Sequence, residues 1–98
     1  MNTLFIDTTS NREIIVNLTI GEDIFEEKRE IKNNRTQVVL PLVKLLLREH
    51  NLTPQDVEKI SIHPGPGSFT GIRVGAAIAN ALIFALKIPQ QLIEPIYS

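Results

Sequence analysis

The stretch His63-Pro-Gly-Pro-Gly-Ser-Phe-Thr-Gly-Ile-Arg73 constrains this chain more than any other part of it. It follows a β-branched run, Ile60-Ser61-Ile62, and precedes a long apolar segment, so it reads as the junction of a strand, a tight loop and a helix start. Two Pro-Gly pairs hold and release the backbone in alternation, because proline fixes φ while glycine admits positive φ. Ser68 and Thr70 both offer N-caps, and Gly71 removes a side chain where the first helical turn could meet another backbone. A junction of this kind aims unpaired N–H groups forward and can hold an anion at the helix N-terminus. It can equally be only a turn. The Gly-Lys-Ser/Thr ending of a P-loop is missing, and the spacing is not that of the dinucleotide fingerprint.

The chain upstream reads as a sheet with one crossover helix. Thr3 to Thr8 is a short apolar run that closes on the turn residues Asp7-Thr8-Thr9-Ser10-Asn11. Arg12 to Ile20 sets Ile14, Val16, Leu18 and Ile20 against Glu13, Ile15, Asn17 and Thr19, the alternation of a strand with one covered face. After a turn at Gly21-Glu22-Asp23, Ile24 to Ile31 is dense in charge, as befits an exposed edge strand. Asn33 and Asn34 offer caps for a helix over Arg35 to His50. Thr53-Pro54-Gln55-Asp56 has the order of an N-cap, a proline at the first helical position and an acid at the third. Val57 to Ile62 then returns to the sheet parallel to the first strand, since a helix intervenes. Gln91-Leu92-Ile93 supplies a fifth strand before Pro95, giving a mixed five-stranded α/β lobe in the order 3-2-1-4-5.

Both long helices carry more apolar surface than an ordinary surface helix, whose apolar stripe is a little over about 100° wide. In the first, Val38, Val39, Leu40, Leu42, Val43, Leu45, Leu46 and Leu47 spread well past one face, and Val38, Val39, Leu42, Val43 and Leu46 are the candidate partner residues among them. In the second, Ile72 to Leu86 is apolar almost throughout, broken by Arg73 and Asn80, with Lys87 following at the same spacing of seven. It is too short for a membrane span, and it carries Asn80 near its middle, so a buried helix is expected and no membrane partner. Gly71, Gly75 and Ala79 form a row of small residues spaced by four, which tight packing on the chain's own sheet would explain by itself. The wider excess points to a partner surface, with Val74, Ala77, Ile78 and Ala81 joining the two glycines on the second helix.

Composition narrows the classes of function. At 98 residues the chain is one lobe, 1–98, burying about two thirds of its unfolded surface. A formal net charge of −1 without a basic stripe makes direct nucleic-acid binding a poor fit. With no cysteine there is no disulfide, thiolate nucleophile or Cys-type zinc site, and the start Met1-Asn2-Thr3 has no export signature, which suits a cytoplasmic protein. His50 and His63 are far apart in sequence without an acidic pairing motif, so no metal is expected. No Ser-His-Asp arrangement is legible either.

The string Gly65-Pro66-Gly67-Ser68-Phe69-Thr70-Gly71-Ile72-Arg73-Val74-Gly75 resembles the signature of the bacterial TsaB family, partner proteins in the synthesis of threonylcarbamoyladenosine on tRNA. Leu4-Phe5-Ile6-Asp7-Thr8-Thr9 is similar to that family's first strand and turn, and Thr36-Gln37 through Leu40-Pro41 to its first helix. The resemblance implies the actin-like, RNase H-like fold of the Hsp70–actin–sugar kinase superfamily. It also implies a non-catalytic subunit paired with a TsaD-type transferase and self-paired when alone; no cofactor is expected, and the near-neutral charge implies that tRNA is touched only indirectly. An actin-like ATPase would hold metal-bound phosphate near Asp7, Thr8 and Thr9, facing Gly65, Gly67, Ser68 and Thr70. The competing reading is that the acid and threonines satisfy the turn backbone locally. An ATP-handling enzyme fragment is therefore the alternative function. The family pattern runs on into a second lobe that this sequence lacks. His63 stands where glycine is usual, and Arg35 where histidine is expected before Thr36-Gln37.

Overall fold

Alternation in the first two strands decides which side of the sheet is closed. In the computed structural model, which describes residues 1–31 and 34–94, β1 (Asn2–Asp7) pairs antiparallel with β2 (Glu13–Ile20). Leu4 and Ile6 stand opposite Leu18 and Val16, and all four are buried on one face with Ile14. β3 (Asp23–Glu30) pairs antiparallel with β2 as an exposed edge, setting Phe25 beside Leu18 on the closed side. β4 (Lys59–Ile62) lies parallel to β1, so Ile60 joins Leu4 in the core. The sheet order is β3-β2-β1-β4.

Two helices cover the closed face. α1 (Arg35–Glu49) begins where the Asn34 side chain accepts from the Gln37 N–H at 2.9 Å. The other cap expected from the sequence, Asn33, lies outside the described residues. Asn34→Ala should destabilise the chain by about 1 kcal/mol, the usual worth of an N-cap, as read from denaturant unfolding at unchanged slope. A 3-10 turn at Pro54–Asp56 carries the expected capping box, Thr53 N donating to Asp56 Oδ2 at 2.7 Å. α2 (Phe69–Leu86) starts at Ser68, the first of the two caps offered by the sequence, and ends on Lys87 with φ of 54°. At 18 residues α2 begins three residues before the apolar run read from the sequence, so it is not too short to cross a membrane by length and composition, yet its Ile72, Ala76, Ala79 and Ile83 are buried against the rest of the chain.

The fifth strand does not form among the described residues. The Gln90 carboxamide takes its place at the outer edge of β4, accepting from Ile60 N at 2.7 Å and donating to Ile60 O at 2.9 Å. Asn80 on α2 grips Ile93 in the same way, with Ile93 N donating to Asn80 Oδ1 at 2.6 Å and Asn80 Nδ2 to Ile93 O at 2.8 Å. Two side-chain amides thus hold residues 90–93 as a loop across an edge that a strand would otherwise extend.

Candidate functional site

The Gly-Pro loop, the β1–β2 turn and the starts of both helices meet at one end of the sheet. Ser68 N donates to Thr9 O at 2.7 Å, which brings the loop onto the turn. The fit is close: a Cβ at Gly67 would lie 2.5 Å from Thr9 Cβ, and one at Gly71 would land on the Thr8 carbonyl oxygen. Thr8 is buried, its hydroxyl donating to Gly71 O at 2.6 Å. That hydroxyl also fills the space a Cβ at Gly75 would need. The row of small residues is therefore the seat of α2 on the end of β1.

The candidate phosphate residues come together here, but largely engage one another. Asp7 Oδ1 accepts from Thr9 N at 3.0 Å and from Thr9 Oγ1 at 2.6 Å. Ser68 Oγ accepts from Gly71 N at 3.1 Å, and Gly65, at φ 98°, donates its N–H to His63 Nδ1 at 3.1 Å. Gly67 and Thr70 are exposed. This arrangement knits a turn together by the local bonding that Asx and Ser/Thr residues favour. Among the described residues no three His, Asp or Glu side chains gather as a metal cluster would require.

The candidate partner residues divide. Val39, Leu42, Val43, Leu46, Gly71, Gly75 and Ile78 are buried inside the chain's own core and are closed to a partner. α1 packs across both β2 and β3, so a wider arc of it is covered than one strand would cover. Val38 is half-buried and lines an open groove of about 400 Å³ between α1 and β3. Val74 is half-buried, while Ala77 and Ala81 are exposed.

What remains on the surface is an apolar stripe along α2. Ala77, Ala81 and Phe84, at helical spacings of four and three, are all exposed, Phe84 to 84%, and the charged Arg73 one turn before Ala77 bounds the stripe at its N-terminal end. Ala85 is exposed beside them, and Leu40 of α1 is 36% exposed. Asn80 holds the C-terminal loop on one flank of α2, which leaves Val74, Ala81 and Ala85 on the flank toward α1. Phe84 is absent from the interface read in the sequence. Its signal was there: it is the bulkiest residue at spacings of seven and three from Ala77 and Ala81.

Comparison with known proteins bears on the family and the fold. The family model described as TsaD, tRNA N6-adenosine threonylcarbamoyltransferase, matches residues 26–95. The Bacillus subtilis protein named tRNA threonylcarbamoyladenosine biosynthesis protein TsaB is 37% identical over 91% of this chain and 39% of its own length. The Escherichia coli protein of the same name is 37% identical over 55% of this chain and 23% of its own length. Among solved structures, YeaZ from Pseudomonas aeruginosa superposes with a TM-score of 0.80 at 29% identity, covering 95% of this chain and 43% of that one. A second Pseudomonas aeruginosa structure, described as an uncharacterized protein with similarity to peptidase YEAZ, gives a TM-score of 0.80 at 31% identity, over 90% and 40% of the two chains. The chain thus spans about two fifths of the length of its first relatives.

Proposed function

The chain belongs to the TsaB family, and we infer from that membership that it is a non-catalytic, cytoplasmic subunit supporting threonylcarbamoyladenosine formation on tRNA by binding a TsaD-type transferase. The observation that carries this reading is the uncharged stripe of Ala77, Ala81 and Phe84 on α2, continued by Ala85. An 84% exposed phenylalanine on a helix that otherwise seats itself well is surface held for a partner. Alanines beside it let a second helix approach to about 8 Å, the close end of helix packing distances. The near-neutral charge leaves tRNA to the transferase. The turn residues contribute structure, since Asp7, Thr9 and Ser68 already hold one another's backbone groups.

Calorimetric titration of the chain into its cognate TsaD-type transferase tests the reading, with formation of the modified nucleoside on tRNA as a second readout. Phe84→Asp should weaken binding by at least about 2 kcal/mol, as expected for a central aromatic anchor, and lower modification accordingly. Its melting temperature should match the parent's, because the ring makes little contact within the chain. A parent chain that does not bind the transferase sinks the subunit reading. Unchanged binding by Phe84→Asp moves the interface off α2.

A further inference from the structure

We infer that Arg35 fixes the mutual position of the N-terminal ends of α1 and α2, and through it the shape of the two-helix face. The second clause rests on the reading of that face as a partner surface. Each helix is carried chiefly by its own part of the sheet, α1 by β2 and β3 and α2 by β4 and β1, so their relative placement needs a tie. Arg35 is the first residue of α1. Its Nη2 donates to Ser10 O at 3.0 Å and to Asn11 Oδ1 at 3.3 Å, both on the β1–β2 turn, and to Ser68 Oγ at 3.2 Å. Ser68 is the N-cap of α2, and the same oxygen accepts from Gly71 N. One guanidinium nitrogen therefore joins the start of α1, the turn and the cap of α2.

Two features show that the guanidinium is not placed there for its own comfort. Its Nε is buried without an acceptor, and an unpaired buried N–H carries a desolvation cost. A cation beside the start of α2 also opposes that helix's dipole, which favours anions. The three bonds through Nη2 hold it against both. Gly71 completes the arrangement, because a Cβ there would lie 3.0 Å from Arg35 Nε and 3.0 Å from Nη2. The sequence departs from the histidine expected at this position, and a histidine is too short to span the same three acceptors from the first turn of α1. The tie belongs to this chain's arginine.

The chain has no cysteine, so nitroxide labels can be placed cleanly at Thr36→Cys and Thr70→Cys, two exposed positions beside the helix starts. Pulsed electron spin resonance should give one narrow interspin distribution in the parent. Arg35→Met, which keeps the stem and removes the donors, should broaden or shift it. Arg35→Lys, with one head group to offer the three acceptors, should broaden it less. A distribution unchanged in Arg35→Met overturns the tie, and if that variant does not fold, an unchanged distribution in Arg35→Lys does the same. Affinity for the cognate TsaD-type transferase should fall by about tenfold in Arg35→Met, a difference of ~1.4 kcal/mol. A shifted distribution with parental affinity overturns the functional clause alone. Phe84→Asp, run in parallel, reports on the face itself: if it binds as the parent does, the face reading fails while the tie stands.

Discussion

Gly71→Ala is expected to destabilise this chain by about 3 kcal/mol or more, at the upper end of overpacking costs, although it adds one methyl group. The new Cβ would land on the Thr8 carbonyl oxygen, a backbone atom that cannot rotate away, and would press on the Arg35 guanidinium. Moving α2 outward to relieve it would break the buried bond from Thr8 Oγ1 to Gly71 O, leaving a polar group unpaired. Small domains hold only about 5–15 kcal/mol in total, so the loss should be plain in a denaturant titration. Gly75→Ala differs in kind, because its obstacle is the Thr8 hydroxyl, and Thr8→Ala removes that obstacle. The double variant Thr8→Ala/Gly75→Ala should therefore recover part of the sum of the single losses, a coupling of about 0.5–3 kcal/mol. Thr8→Ala should not rescue Gly71→Ala. Equal rescue at both positions would contradict the placement of backbone above Gly71 and side chain above Gly75.

That difference bears on what the sequence could disclose. The glycine row was legible as a demand for close approach, but its counterpart was not, because Thr8 lies 63 residues from Gly71 and no periodicity connects them. Local signals are legible in the sequence for the same reason. The Asn34 and Ser68 caps, the Thr53–Asp56 capping box and the alternation of Ile14, Val16 and Leu18 are fixed by neighbours within a few residues. The fifth strand failed because Gln91-Leu92-Ile93 has strand-like composition, while what decides it is Gln90 bonding both backbone groups of Ile60, 30 residues away. Apolar excess marked the two helices but could not say which residues stay outside. Val39, Leu42, Val43 and Leu46 are taken up by a sheet wide enough to cover most of α1, whereas Phe84, one aromatic among many apolar residues, carries the exposed face.

In isolation the α2 faces should pair with each other, giving a twofold dimer that Ala77→Glu/Ala81→Glu abolishes. A twofold contact sets one patch against itself. Centred between Ala77 and Ala81 with the helices antiparallel, it places Ala77 opposite Ala81 and Val74 opposite Phe84 on the second copy. Small residues then meet at the crossing and larger ones flank it. One helix face offers less than the roughly 800 Å² per partner of a stable complex, so the affinity should be weak, in the micromolar range. The two alanines are exposed, so the double variant should fold and melt as the parent does. Placed in apposed pairs, its glutamates would face one another across the contact and lose solvent, a repulsion that a weak dimer cannot absorb. Sedimentation equilibrium across the micromolar range should show the parent passing from monomer to dimer and the variant remaining monomeric. A parent that stays monomeric at high micromolar concentration would refute self-pairing through this face. A variant that still dimerises would place the contact elsewhere, with the groove between α1 and β3 the next surface to probe.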